Sequence, residues 1–429
     1  MKHLRSASLL LLALVHGFAT AETVMIQNAT VHTLGAEGTL ENTAVLIEDG
    51  IIVGFGDDLE LPTDARYIDA AGGVITPGVF DPYSRLGVTE VDAVAGTVDG
   101  KQSGSRFTAS FDVASAINPR STLLPISRIE GITHAMVTAW PGKNANLMSG
   151  LGAVIHLGGS DSHLVKRAAA LFVQLGEQGG KVAGQSRAAA MLALREALED
   201  ARDYDRNRAA YDEGRRREYS VGRADLEALQ AVINREIPVV ATVSRASDII
   251  QTLELAEDED IWLVIYGGAE AWLVADQIRA AGVAVILDPT RNLPENFESL
   301  NASLESAARL HAAGVQIAFS ISDTHNARNL RQLAGNAVAN GLPWIEALRA
   351  ITSTAAGLYP GTDGIGTVQA GKPANLVVWD GDPLEITTYP SHVFIDGKAI
   401  SMSSRQTLLR DRYLDLDDET APAYRNPSR

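Results

Sequence analysis

Residues 237–290 read IPVVATVSRASDIIQTLELAEDEDIWLVIYGGAEAWLVADQIRAAGVAVILDPT. Three apolar runs, Ile237 to Val243, Ile261 to Tyr266 and Val283 to Leu287, predict strands buried on both faces. Helical stretches separate them. Ser247 is placed to cap a helix over Asp248 to Leu255, and a second helix spans Ala269 to Ala281. Downstream, a helix near Ser303 to Ala313 precedes a strand over Val315 to Phe319, and helices follow over Asn326 to Asn340 and Trp344 to Ala356. Four successive β/α units, with room for more between residues 74 and 236, predict a (β/α)8 TIM barrel. An open doubly wound sheet is the alternative, but no Gly-x-Gly-x-x-Gly loop follows a strand.

Outside this stretch, both ends read as short strands. Val24 to Gln27, Ala44 to Glu48 and Ile51 to Phe55 are β-rich, and Asp49-Gly50 is a hairpin turn signal. Ala374 to Trp379 and His392 to Ile395 repeat the pattern near the C-terminus. One β-sandwich built from residues 22–72 and 368–429 is expected, around a barrel at 73–367. From Ser186 to Arg217 a long helical candidate interrupts the barrel rhythm, ending in Arg215-Arg216-Arg217. A solvated helix face is the expected reading of that basic run.

The chain has 429 residues, 46% hydrophobic and 21% charged, enough apolar material for a large core. A net charge of -17 repels phosphate backbones and makes nucleic acid a poor partner. No cysteine is present, which excludes disulfides, thiolate metal ligands and thiol nucleophiles. Residues 1–21 predict an export leader: Lys2 and Arg5, an apolar stretch from Ala7 to Val15, then Ala19-Thr20-Ala21. The mature protein is expected to start at Glu22 and to be periplasmic or secreted. No apolar run reaches the ~20 residues of a spanning helix.

Three stretches resemble the amidohydrolase superfamily, in particular its imidazolonepropionase-like and dihydroorotase-like composite-domain branch. They are EDGIIVGFG with YIDAAGGVITPGVFD, ending at Asp81; Asp323-Thr324-His325-Asn326 running into NAVANGLPWIEALRAITSTAA; and GIGTVQAGKPANLVVWDGDPLE. They keep the family's order and frame the mature chain. The resemblance implies a barrel with a terminal β-sandwich, and hydrolysis of C–N bonds such as those of cyclic amides. It also implies one or two divalent metals, usually zinc, because a metal lowers the pKa of bound water to about 7.

The family's ligand positions are filled differently here. Its Pro-Gly-x-x-Asp-x-His-x-His motif reads Pro77-Gly78-Val79-Phe80-Asp81-Pro82-Tyr83-Ser84-Arg85, so Tyr83 and Arg85 stand where histidines are usual. A guanidinium cannot ligate a metal because it stays protonated and has no acceptor. Thr242 or Ser244 stands at the next histidine position and Gly267 at the one after, and no lysine suits a carbamate bridge. The resemblance leaves Asp323 as the carboxylate after the last strand, short of the three protein ligands a catalytic zinc needs. No bound cofactor is therefore expected.

Among the remaining histidines, His156 ends an apolar strand and His325 follows Asp323, so both are expected at the barrel mouth. Asp81, His156, Asp323 and His325 could form an unusual metal site, and Asp81 with Asp323 a carboxylate pair. No Gly-x-Ser-x-Gly elbow supports a serine triad. The favoured arrangement is an ion pair between Arg85 and Asp323, a cation in a lost metal's place. Two functions follow: a C–N hydrolase, or a non-catalytic relative. The latter would bind a small molecule, form a homo-oligomer, or associate with an active paralogue.

Overall fold

The structure, a computed structural model, describes residues 23–414 apart from 57, 58, 60–62, 64, 105, 143–145 and 160–162. The leader expected at residues 1–21 lies outside the described residues. Strand β1 (Val24–His32) pairs antiparallel with β2 (Thr39–Glu48), and parallel with β4 (Arg66–Asp69) and β5 (Val74–Pro77). Strand β3 (Ile51–Phe55) pairs antiparallel with β2. Asp49 and Gly50 join them with φ of 52° and 80°, the two left-handed residues of a tight hairpin turn.

The barrel sheet orders β6 (Val79–Ser84), β8 (Ile132–Val137), β10 (Met148–His156), β11 (Leu164–Gln174), β12 (Val239–Val243), β13 (Leu263–Gly267), β14 (Ala284–Leu287) and β15 (Ile317–Phe319). A ribbon of β7 (Lys101–Gln102) and β9 (Trp140–Pro141) lies beside it. From β11 onward every pair is parallel. The circle is nearly closed. Across the seam, the Ser320 hydroxyl sits 2.8 Å from Asp81 Oδ1 on β6 and 2.8 Å from the Tyr83 carbonyl.

One strand departs from the expected parallel barrel. β10 is antiparallel to both β8 and β11. The connections explain it: residues 138–147 and 157–163 are too short for a crossover, which needs roughly a dozen residues or more. Two short returns therefore reverse β10 and then restore direction in β11.

The C-terminal strands return to the first sheet. β16 (Leu376–Trp379) pairs antiparallel with β5, β17 (Pro390–Ile395) with β16, and β18 (Lys398–Ala399) with β17. Alternate residues of both termini, including Val24, Ile26, Val45, Ile47, Ile75, Leu376, Val378 and Phe394, form its core. That alternation is why the strands were legible. Arg331, on the helix Leu330–Ala339, is buried at the join. It donates to the carbonyls of Pro383 (3.2 Å), Glu385 (2.8 Å) and Thr388 (2.7 Å).

The helical excursion is real, over Arg187–Arg206 and Arg208–Asp212, with Leu194, Leu198, Ala201 and Tyr204 buried. Its basic run is not a solvated helix face: it lies past the helix end at Asp212 and is ion-paired, Arg215 with Glu213, Arg216 with Asp203, and Arg217 with the buried Asp200. Ser247 does not cap its helix, which begins at Ala246 after Arg245. The Glu270 carboxylate takes that part, accepting from the Ala246 amide at 3.1 Å.

Candidate functional site

The C-terminal ends of the parallel strands open into a cavity of about 360 Å³. β6 supplies Tyr83, with Arg85 just beyond it; β12 and its loop supply Thr242 and Ser244; β13 supplies Tyr266 and Gly267. Trp140 enters from β9 and Gln174 from the end of β11. Asp288, Arg291, Leu293 and Glu295 come from the long loop after β14. That loop is anchored over the mouth. Glu298 accepts from the Glu177 amide (2.6 Å) and from Arg187 (2.9 Å), and Asn301 donates to Glu270 at 2.8 Å.

The cavity floor is aromatic. Tyr83 stacks on Tyr266 with centroids 3.7 Å apart and planes 5° from parallel, and Phe172 meets Tyr83 edge-on at 5.4 Å. The Thr242 side chain beside the Tyr83 phenol and the Ser322 side chain beside that of Tyr266 each hold the phenol's titration down a little. Burial pushes the titration of both phenols up, so they stay protonated at neutral pH.

Beside the stack, Arg85 lays its guanidinium over Trp140, 4.7 Å from the ring centroid. Its ion-pair partner among the described residues is Asp92, at 4.0 Å, beyond hydrogen-bond reach. The buried Arg85 Nε makes no hydrogen bond. The expected Arg85–Asp323 pair is corrected. Asp323 turns onto its own loop, Oδ1 accepting from the His325 amide (2.9 Å) and Oδ2 from Asn326 Nδ2 (2.9 Å). His325 is exposed and, like Asp323, does not line the cavity; Ser322 holds the mouth-facing position.

Asp81 lies below the stack, 1% exposed. Its Oδ1 accepts from the Tyr83 amide at 3.2 Å, while Oδ2 has no partner. Burial raises its pKa to about 6, against the opposing bonds from Ser320 and Tyr83. Its hydrogen bonds go to Ser320 and Tyr83, and those of Asp323 to His325 and Asn326.

His156 is corrected to the opposite end of the barrel. Because β10 runs backwards, its last residue sits against His134 near the start of β8. There His156 Nδ1 accepts from the Gly158 amide (3.1 Å), and His163 Nδ1 bonds the His156 carbonyl (2.8 Å). Burial, and then neighbouring His156, lower the pKa of His134 to about 3.

The donor set does not fit the metal that the family resemblance implies. At the strand ends stand two protonated phenols, hydroxyls, a glycine and a guanidinium; the carboxylate there, Asp288, is taken up by Thr290 and Arg291, and no imidazole among the described residues joins it. Among the described residues, no three His, Asp or Glu side chains gather where they could hold one ion. Sequence reading missed Trp140, Gln174, Tyr266, Asp288, Arg291 and Glu295. The signal for Asp288 and Arg291 was their place directly after an apolar strand, at its mouth end.

Residues 145–400 match the amidohydrolase family. The amidohydrolase tasK of Hapsidospora irregularis is 23% identical over 391 residues, covering 83% of this chain and 39% of that protein. The chain thus spans about two fifths of that curated relative's length. A crystal structure of an amidohydrolase from Thermotoga maritima MSB8 superposes with a TM-score of 0.78 at 25% identity, over 88% of this chain and 99% of that one. A molinate hydrolase shares the fold, at 15% identity and a TM-score of 0.52, over 90% of this chain and 96% of that one.

Proposed function

The chain belongs to the amidohydrolase family, and from that premise we propose that it binds a small molecule at the barrel mouth without metal-dependent hydrolysis. The observation that carries this reading is the Tyr83–Tyr266 stack with Arg85 beside it. Protonated phenols and a guanidinium fill the first strand ends, where the family's metal and its hydroxide belong, and leave fewer than the three strong ligands that a catalytic zinc needs. The cavity stays open above them, at the lower end of the size range of small-molecule sites.

C–N hydrolysis, the other function expected of such a chain, needs an activated water. The carboxylate proposed for that task, Asp323, is engaged in its own turn. The experiment is elemental analysis of the purified protein combined with assays on cyclic amides and N-acyl amino acids, with and without added zinc. No stoichiometric metal and no zinc-dependent turnover are expected. Zinc-dependent hydrolysis that is lost in Asp323→Ala would overturn the reading.

Association with an active paralogue is a second role, favoured by one observation. The tasK relative is long enough to hold another unit of this size beside the matched part. Co-purification with a co-expressed active amidohydrolase tests it. The export reading of residues 1–21 stands beside these as a proposal, checked by N-terminal sequencing of protein from a secretory host.

A further inference from the structure

We infer that Arg85 receives the carboxylate of a small organic acid bound in the mouth cavity. The inference rests on the reading of the mouth as a binding cavity and adds the chemical class of its ligand. Arg85 is the cation there with unused bonding capacity. Its side chain is 28% exposed and lines the cavity, and the 4.0 Å ion pair of its Nη1 with Asp92 is too long for a hydrogen bond. Asp92 itself is 54% exposed, so water competes for it. The contact with Trp140, 4.7 Å from guanidinium carbon to ring centroid, restrains the head group at the cavity wall, where its planar donors form a fork.

The other cation lining the cavity, Arg291, has two carboxylates beside it, of which Asp288 is the less exposed. It lies 3.6 Å from Asp288 and 3.2 Å from Glu295. One available guanidinium beside two carboxylates suits a monoanion; a phosphate dianion would meet Asp288 and Glu295 with too little positive charge. The planar fork of arginine matches a planar carboxylate bidentately. Trp140, Tyr266 and Leu293 give the rest of the ligand an apolar wall, with Thr242 and Ser244 hydroxyls for its polar atoms. The ligand class is therefore a small acid with a flat or apolar body, either free or as the C-terminus of a short peptide.

The test is calorimetric titration of the full chain in the presence of EDTA. The probes are benzoate, N-acetylglycine, N-benzoylglycine and an N-benzoyl tripeptide, each against its amide, and inorganic phosphate. At least one acid is expected to bind, with its amide weaker by roughly tenfold or more. Arg85→Gln should abolish that preference, while Arg85→Lys, which keeps the charge and loses the fork, should retain only part of it. Circular dichroism establishes that both variants are folded. The tripeptide arm distinguishes a peptide end from a free acid.

Equal binding of acid and amide, no binding by any acid, tighter binding of inorganic phosphate, or an acid preference surviving in Arg85→Gln would each overturn the inference. Metal-dependent turnover would instead overturn the non-hydrolytic reading, and would leave the comparison in EDTA standing.

Discussion

Tyr83 and Tyr266 lie face to face, 3.7 Å between centroids and 5° from parallel, though 183 positions separate them in the chain. They reach the same point because β6 and β13 end at the same rim of the barrel. The stack closes the mouth's floor and separates the cavity from buried Asp81.

Truncating this floor should be costly. Tyr266→Ala is expected to destabilise the protein by about 3 kcal/mol through the cavity left against Tyr83. Tyr266→Phe keeps the stack and should cost only about 1 kcal/mol. Urea unfolding of both variants checks the order; equal losses would show that the hydroxyl, and not the ring, matters.

Restoring the family's first two ligands should not restore its metal. In a Tyr83→His, Arg85→His double variant, Thr242, Ser244, Gly267 and Ser322 still supply no third strong donor, and the carboxylates of Asp288 and Glu295 stay paired with Arg291. Zinc titration by calorimetry is expected to show no stoichiometric site. Tight one-to-one binding would mean that another residue completes the sphere.

Two buried groups should give opposite pH responses. Asp81 has a folded pKa of about 6, above the ordinary 3.8. Its contribution is therefore fully present below pH ~4 and is lost as pH rises through 6, at most about 3 kcal/mol. His134, lowered to about 3, contributes stability above its ordinary 6.5 that is lost as pH falls below it. Stability measured from pH 4 to 7 in Asp81→Asn should rise with pH more steeply than in the parent. In His134→Gln the rise should flatten or reverse. Parallel curves for all three proteins would contradict the assignment.

Arg331 should be the side chain most sensitive to replacement at the join between barrel and sheet. It satisfies three carbonyls, Pro383, Glu385 and Thr388, and lies 5.4 Å from the Trp379 ring. Arg331→Lys cannot span all three and is expected to cost about 2 kcal/mol or more. Chemical denaturation checks this; a change within experimental error would mean that water replaces the lost donors.

By itself the sequence determined the local elements and the chemistry of the site. Period-two alternation in Val24 to Phe55 and continuous apolar runs such as Val283 to Leu287 report burial on one face or on two. Those patterns are set by near neighbours, so the terminal sheet and the parallel half of the barrel were legible. The replacement of histidines by Tyr83 and Arg85 was equally plain, because ligand chemistry belongs to residue type. Tertiary structure decided direction and partnership. His156 looked like a mouth residue until the two short connections around β10 reversed its strand. Arg85 and Asp323 carry opposite charges near neighbouring strands, yet Arg85 lies on Trp140 and Asp323 folds onto its own turn. The loop after β14, with Asp288, Arg291 and Glu295, completes the cavity only because Glu298 and Asn301 are anchored by Arg187 and Glu270. Such pairings depend on where the closed barrel brings distant segments together, and no local periodicity encodes that distance.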